Sequence, residues 1–208
     1  MPTTSFTLFV FAFSLFACQP PANSDKAEQE NKPTEKTNQS NLSDEEVAEY
    51  QVYATKIRQE AQNALGQKLM QKVGESGAEG AIEFCNINAI PLTDSVANLN
   101  HVSLKRLTNR PRNPENKAEG KELEILKTYI RELDSGKQLQ TVHQIEPKNI
   151  NFYYPILTNS FCLNCHGEPK VEVNETTLAA LAEKYPNDSA LNYRENQLRG
   201  IWKISFPY

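Results

Sequence analysis

The spacing of apolar residues after Ser43 predicts two long helices at the start of the globular region. Ser43-Asp44-Glu45-Glu46 has the form of a capping box, at which a helix begins. Apolar residues then recur every three or four positions, at Val47, Tyr50, Ala54, Ile57, Ala61 and Ala64. This helix is expected to end near Gly74. A second helix is expected over residues 78–89, with Pro91 as its stop and an apolar face formed by Ala78, Ala81, Ile82, Cys85 and Ala89.

The remaining pattern predicts a third helix, a short fourth helix over residues 178–184 and about four antiparallel strands. Strands are expected over residues 101–107, 139–145 and 150–157 and at the C-terminus, where Trp202, Ile204 and Phe206 share one face. Asn113-Pro114 is a suitable start for the third helix, and Ser135-Gly136 closes it. The buried side of this helix is expected to carry Leu123, Leu126, Ile130 and Leu133. The pattern is that of an α+β domain over residues 43–208.

Residues 1–17 have the pattern of an export signal. Residues 6–17 form an apolar run that is too short to span a bilayer and has the length of a signal-peptide core. The run ends in Leu15-Phe16-Ala17-Cys18, which resembles the lipobox of bacterial lipoproteins. The resemblance implies that Cys18 is lipidated and becomes the mature N-terminus, and Gln19 favours the outer membrane. The alternative is an ordinary signal peptide with a chance cysteine. We therefore expect a lipid-anchored protein on the periplasmic face of a bacterial membrane.

Residues 18–42 are expected to be a disordered tether. Between Gln19 and Leu42 only two alanines and one leucine are apolar, so the segment cannot bury enough surface to offset the entropy lost on ordering. This segment contributes to the low hydrophobic share of the 208-residue chain, which is 38%. A net charge of −4 provides no basic surface for a phosphate backbone, so nucleic-acid binding is not expected.

Five consecutive residues, Cys162-Leu163-Asn164-Cys165-His166, carry the candidate chemistry. Cys-x-x-Cys-His is the attachment sequence of c-type haem, in which each cysteine forms a thioether with a haem vinyl group and the histidine binds the iron. A zinc site would need two more ligands at a matching spacing. A redox dithiol should open a helix after a strand, but Gly167-Glu168-Pro169 follows too soon. A structural disulfide is the third alternative. We predict one covalent haem c.

Cys85 is the cysteine that remains once Cys18 is lipidated and the motif pair carries haem. A free thiol in an oxidising compartment is either a small buried apolar residue or a functional group. The functional interpretation of Cys85 is the second axial ligand of the haem iron. Its rivals for that role are Met70 on the first helix and His101 and His143, which are both expected on strands.

Several segments together resemble a family of exported single-haem c-type domains with a PAS-like fold. They are AIEFC from Ala81, KRLTNRPRNPENKA from Lys105, YYPI from Tyr153, CLNCHG from Cys162, and the stretch from Tyr185 to Pro207. Members of this family occur alone in bacteria, including cyanobacteria, and as periplasmic sensor modules of membrane signalling proteins. The resemblance implies a PAS-like antiparallel sheet with two long N-terminal helices and a haem-bearing loop. It also implies axial ligation by His166 and by a cysteine of the N-terminal helical region, the position of Cys85.

The expected function is electron transfer or redox sensing through a six-coordinate haem, with a redox partner protein that the sequence does not identify. Two axial ligands leave no open position for a substrate, which argues against peroxidase or oxygenase chemistry and makes an enzyme the less favoured class. One alternative is a haem-based sensor, in which a diatomic gas displaces the weaker ligand and the signal passes to a separate protein. A haem-free binding module with a structural disulfide is the other alternative.

Four arginines are candidates to pair with the haem propionates, because a guanidinium group matches the geometry of a carboxylate. They are Arg106, Arg110, Arg112 and Arg199. The alternative for each of them is a solvated surface charge.

Overall fold

A four-stranded antiparallel sheet lies between two helical layers. The computed structural model describes residues 42–208, and the predicted signal segment, Cys18 and all of the predicted tether except Leu42 lie outside these residues. The helices are α1 (Asp44–Leu99), α2 (Gly120–Asp134), α3 (Ser160–His166) and α4 (Glu175–Lys184). The strands are β1 (Ser103–Leu107), β2 (Val142–Glu146), β3 (Asn149–Leu157) and β4 (Leu198–Pro207), in the order β1-β4-β3-β2. The predicted α+β class is confirmed. None of the helices within residues 42–208 has the length and apolar character needed to cross a membrane.

Helix α1 begins at the predicted capping box and is broken in its middle. The Glu46 N–H donates to Ser43 Oγ (3.3 Å), and the Ser43 N–H donates to Glu46 Oε2 (2.8 Å). Ser76 and Gly77 leave helical geometry, and Gly77 takes a φ of +71°, which glycine adopts without steric cost. The break separates an N-terminal arm (residues 44–75) from a C-terminal arm (residues 78–99). Two long N-terminal helical segments therefore form, as predicted.

The C-terminal arm of α1 runs through Pro91 to Leu99, so the prediction that Pro91 ends this helix is wrong. A proline inside a helix removes a backbone hydrogen bond and costs roughly 3 kcal/mol. Packing holds the arm together on both sides of the proline, because Ala89, Thr93 and Ala97, spaced four residues apart, are all buried.

The two arms of α1 fold back on each other and cover one face of the sheet. Ala97 lies in one apolar cluster with Ala54 of the N-terminal arm, and Asn100 Nδ2 donates to Glu60 Oε2 at 3.3 Å. The same cluster contains alternate residues of the strands, namely Leu104, Ile150, Phe152, Tyr154, Trp202 and Ile204. Phe206 packs against this cluster, which confirms the predicted shared face of β4.

Helix α2 covers the opposite face of the sheet and begins later than predicted. Asn113-Pro114 starts only one turn of 3₁₀-helix, and α2 begins at Gly120. Between them, the Thr108 N–H donates to the Asn116 carbonyl (2.8 Å), and the Ala118 N–H donates to the Thr108 carbonyl (2.9 Å). These bonds hold the chain in a bridge beside the end of β1, which interrupts the helix.

The buried side of α2 differs in part from the prediction. The residues buried against the sheet are Ile125, Leu126 and Tyr129, whereas the predicted Leu123, Ile130 and Leu133 are partly buried beside them. The helix ends at Asp134 and is closed by Ser135 and by Gly136 with a φ of +75°, as predicted.

Gly200 in β4 allows two backbone segments to approach closely, next to Arg199. A Cβ at this position would lie 2.5 Å from the Leu107 carbonyl oxygen and 3.4 Å from Thr108 Cβ. Because backbone cannot yield as a flexible side chain can, we expect Gly200→Ala to lower the free energy of unfolding by about 1–3 kcal/mol. Gly66→Ala is the matched control, since nothing lies within 4 Å of its Cβ.

Gly66 lies in the interior of α1, where glycine is less favourable than alanine because it loses more conformational freedom on folding. Gly66→Ala should therefore raise the free energy of unfolding by roughly 0.5–1 kcal/mol. Denaturant unfolding followed by circular dichroism measures both variants. Similar effects of Gly200→Ala and Gly66→Ala would contradict the close approach at Gly200.

Candidate haem site

The Cys-x-x-Cys-His motif lies on helix α3, directly after β3. The prediction that the motif lies on a loop is therefore wrong. Asn159 caps this helix, because its Oδ1 accepts hydrogen bonds from the Cys162 N–H and from the Cys162 thiol, both at 3.1 Å. A helix of seven residues is too short to show a helical period in the sequence. It ends at His166, and a Cβ on Gly167 would lie 2.8 Å from the Leu163 carbonyl oxygen.

His166 is partly buried at the end of α3, and one of its ring nitrogens is hydrogen-bonded. The Nδ1 atom lies 2.7 Å from the Ala190 carbonyl oxygen. A carbonyl can only accept, so Nδ1 carries the hydrogen and Nε2 keeps a free lone pair that can bind a metal. Burial, aided by the nearby Arg112 and Arg199, lowers the pKa of His166 well below its usual range. The imidazole is therefore neutral near pH 7, the form in which it binds metals.

Cys85 lies on the C-terminal arm of α1, in the neighbourhood of the motif. Ile82, about one turn earlier, belongs to the apolar cluster against which Cys165 packs. Burial raises the pKa of the Cys85 thiol, and Arg106 and Arg112 oppose this rise. Burial also raises the pKa of the Cys165 thiol, and the charge of the nearby Cys85 adds to it. The structure thus brings Cys85, the motif and two of the candidate arginines together.

The three rival ligands lie in other places. Met70 is 56% exposed on the N-terminal arm of α1. His101 is exposed in the turn after α1 with a φ of +54°, so the prediction that it lies on a strand is wrong. His143 is exposed on the edge strand β2, three strand spacings or about 14 Å from β1, which carries Arg106.

Arg110 and Arg112 hold the segment 188–193 against the motif helix. Arg112 Nε donates to Asp188 Oδ2 (3.0 Å), and Arg112 Nη2 donates to the Cys165 carbonyl (2.5 Å). Arg110 donates to two backbone carbonyls of the same segment. Both guanidinium groups therefore already have protein partners, and the structure favours a supporting role for them over the predicted contact with propionates.

Arg106 and Arg199 form no ion pair with a carboxylate within residues 42–208. Arg106 lies over the Trp202 ring at 5.6 Å, and its guanidinium makes no hydrogen bond or ion pair within residues 42–208. Arg199 Nη1 donates to Thr108 Oγ1 (3.1 Å) and to the Arg110 carbonyl (3.3 Å). Burial lowers the pKa of both arginines, because desolvation disfavours a charge. Two desolvated cations without a paired carboxylate make this site suited to an anionic group.

A cavity of about 240 Å³ opens beside Arg106, between the C-terminal arm of α1, β1 and the 3₁₀ turn. Thr93, which lines it, lies two turns after Cys85 on the same arm. The cavity is smaller than the roughly 300–1,000 Å³ of typical ligand pockets, and Arg106 is the one candidate site residue among those that line it.

The structure bears on the three alternative interpretations of the motif, which are a zinc site, a redox dithiol and a structural disulfide. Among the described side chains, no group of three or more His, Cys, Asp or Glu residues could hold a metal ion. The described residues therefore form no closed zinc site around the motif. Helix α3 follows a strand and contains both cysteines, as a redox dithiol requires, but it ends at His166, directly before Gly167-Glu168-Pro169. Cys85, Cys162 and Cys165 are all free thiols.

Comparison with known proteins identifies the family. The model of the Tll0287-like family, described as Tll0287, matches residues 26–207. The chain belongs to the Tll0287-like family. A solved structure described as the cyanobacterial heme-protein Tll0287 matches with a TM-score of 0.54 at 18% identity, covering 80% of this chain and 97% of that chain. At this identity the match shows a shared fold. A comparison with curated proteins finds no match.

The site of this Tll0287-like chain also contains a buried hydroxyl that the sequence patterns do not single out. Tyr193 is 3% exposed, and its hydroxyl has no hydrogen-bond partner within the described residues. Its ring stands edge-on to the His166 ring, with centroids 6.0 Å apart. A buried donor without a partner, two desolvated arginines and a free Nε2 together fit an iron-bearing, anionic group such as haem.

The sequence carries no signal for two members of this candidate site. The Ala190 acceptor is a backbone carbonyl, which any residue could provide. Tyr193 has no motif or spacing of its own, and only its place within the resembling stretch 185–207 could have pointed to it.

Proposed function

We propose that residues 43–208 form a PAS-like c-type cytochrome domain that holds one covalent haem and acts in electron transfer or redox sensing. The observation that carries the proposal is the orientation of His166, whose Nδ1–H donates to the Ala190 carbonyl and leaves Nε2 free. Two free thiols stand at the haem-attachment spacing just before it, at Cys162 and Cys165. The family match and the description of Tll0287 as a heme-protein support haem as the cofactor.

Each group of the proposed site has a distinct part in holding the cofactor. Cys162 and Cys165 form the thioethers, and His166 Nε2 binds the iron. Arg106 and Arg199 pair with the propionates, since Arg106 makes no hydrogen bond within residues 42–208 and Arg199 bonds to the protein through Nη1 alone. The bound haem supplies one-electron chemistry.

Cys85 is the proposed second axial ligand. Its nearness to Cys165 and its free thiol support this assignment. If His166 and Cys85 both held the iron, no open site would remain for a substrate, which favours electron transfer or redox sensing over catalysis.

A second candidate function is the sensing of a diatomic gas, and the position of Cys85 favours it. Cys85 lies on the C-terminal arm of α1, which is joined to the N-terminal arm through the break at Ser76 and Gly77. A gas that displaces Cys85 from the iron would release this arm, and the change would pass to a separate partner protein.

The visible spectrum of the protein, produced together with haem-maturation enzymes, tests the proposal. We expect one haem per chain that stays with the polypeptide on a denaturing gel. Ferrous protein whose spectrum is unchanged by CO supports electron transfer, and ready CO binding supports gas sensing. Colourless protein would refute both functions and leave the haem-free binding module.

We also propose that Cys18 anchors the domain to a membrane from the periplasmic side, with the outer membrane favoured by Gln19. The observation behind this proposal is the lipobox-like sequence, which lies outside the described residues. A redox partner protein is expected, and nucleic acid is not, because the net charge is −4.

A further inference from the structure

We propose that the Tyr193 hydroxyl donates a hydrogen bond to a haem propionate, which makes Tyr193 a positioning residue of the haem site. This inference rests on the proposed function, because it requires a bound haem. It concerns a residue whose type and spacing give no hint of such a role.

The starting observation is a buried hydroxyl without a partner. Tyr193 is 3% exposed, and its Oη makes no hydrogen bond within residues 42–208. Buried polar groups are almost always hydrogen-bonded, and of the four buried side-chain atoms without a partner within residues 42–208 the Tyr193 hydroxyl is the one beside the candidate ligands. Tyr185, another buried tyrosine in this region, is not among the buried hydroxyls that lack a partner.

The surroundings of Tyr193 select an anionic acceptor. The guanidinium carbon of Arg110 lies 4.1 Å from the centroid of its ring, and that of Arg199 lies 5.5 Å away. Within residues 42–208, the carboxylate that forms an ion pair in this arginine cluster is Asp188, which bonds to Arg112. A phenolic hydroxyl beside arginines that form no ion pair is complementary to a further carboxylate, and the haem propionates are the carboxylates that this site would receive.

The backbone places Tyr193 next to the iron ligand. Its N–H donates to the His166 carbonyl at 2.8 Å, and its ring stands at 80° to the His166 ring. Tyr193 is therefore held beside the proximal ligand. A hydrogen bond from this point to a propionate would fix the haem edge relative to His166.

The bond should affect the iron as well as the haem position. A hydroxyl donor disperses the negative charge of the propionate, and a more concentrated negative charge near the iron stabilises the ferric over the ferrous state. Removing the hydroxyl should therefore shift the midpoint potential to a more negative value. A residue that only fills space would not change the potential when its ring is kept.

Tyr193→Phe is the variant that tests this role. It removes the hydroxyl and keeps the ring, its contacts with the arginines and its backbone bond to His166, so the variant is expected to fold. We expect one covalent haem per chain, a more negative midpoint potential at fixed pH, and a shifted propionate bending band in the resonance Raman spectrum.

Tyr154→Phe is the matched control. The Tyr154 hydroxyl bonds to Thr55 Oγ1 (3.0 Å) and to the Gln51 carbonyl (3.2 Å), in the apolar cluster under α1. This variant should lose some stability and keep both the potential and the propionate band.

The outcomes separate this inference from the proposed function. Unaltered protein without covalent haem refutes the proposed function itself. Haem-loaded Tyr193→Phe with the potential and propionate band of the unaltered protein overturns the inference alone. The unaltered protein offers a check that needs no variant, because propionate bands typical of carboxylates without hydrogen bonds would also overturn it.

Discussion

Replacing Cys162 and Cys165 together by alanine is expected to abolish covalent haem. The two thiols are free and stand at the attachment spacing, and without them no thioether can form. Haem staining on a denaturing gel should fall from one haem per chain to none. The unfolding midpoint should fall as well, because a ligand that binds only the folded chain stabilises it.

The control for this prediction is Cys85→Ala, which removes the third thiol of residues 42–208 and should leave the haem staining unchanged. Haem that acid-acetone extracts from the unaltered protein would contradict thioether linkage. It would leave the motif as a redox dithiol or a structural disulfide, the two interpretations that helix α3 still permits.

Replacing Cys85 by alanine is expected to change the iron without releasing the haem. A metal-bound thiol is deprotonated, and its negative sulfur stabilises ferric over ferrous iron. Its loss should raise the midpoint potential on the order of 100 mV or more, since axial ligands set haem potentials over a range of about 0.8 V. Sulfur-to-iron charge-transfer absorption should disappear, and CO or imidazole should bind at the open position. Spectroelectrochemical titration and ligand addition measure these effects.

Two further variants make the result for Cys85 specific. Cys85→Met should also raise the potential, because a neutral thioether is a weaker donor than a thiolate, and it keeps six-coordination if the sulfur reaches the iron. Met70→Leu should leave the spectrum unchanged, since Met70 is mostly exposed on the other arm of α1. If Cys85→Ala retains the ferric spectrum and potential of the unaltered protein, Cys85 is only a small packed residue. Met70, His101 and His143 would then be the ligands to test.

Features that depend on near neighbours in the chain were determined by the sequence. The start of α1 needs only Ser43 and Glu46, three residues apart, and both bonds of the capping box form. The alternation of β4 follows from the pleat of a strand, so Trp202 and Ile204 could be placed on one face in advance. The attachment motif is five consecutive residues, because thioether chemistry requires that spacing and no distant contact.

Features that depend on distant contacts were decided by the tertiary structure. Pro91 has the chemistry of a helix stop, yet buried Ala89 and Ala97 keep the arm helical across it. Asn113-Pro114 has the chemistry of a helix start, yet the pairing of Thr108 with residues 116–118 postpones α2 to Gly120.

The same division holds at the candidate site. Residue type could nominate Cys85 and four arginines, but it could not show that Arg110 and Arg112 bond to protein carbonyls while Arg106 makes no hydrogen bond within residues 42–208. The partner of His166 Nδ1 is a backbone carbonyl 24 residues away, and the unpaired hydroxyl of Tyr193 becomes visible only once its surroundings are known. Backbone acceptors and missing partners leave no mark in a sequence, because they are properties of what the folded chain brings together.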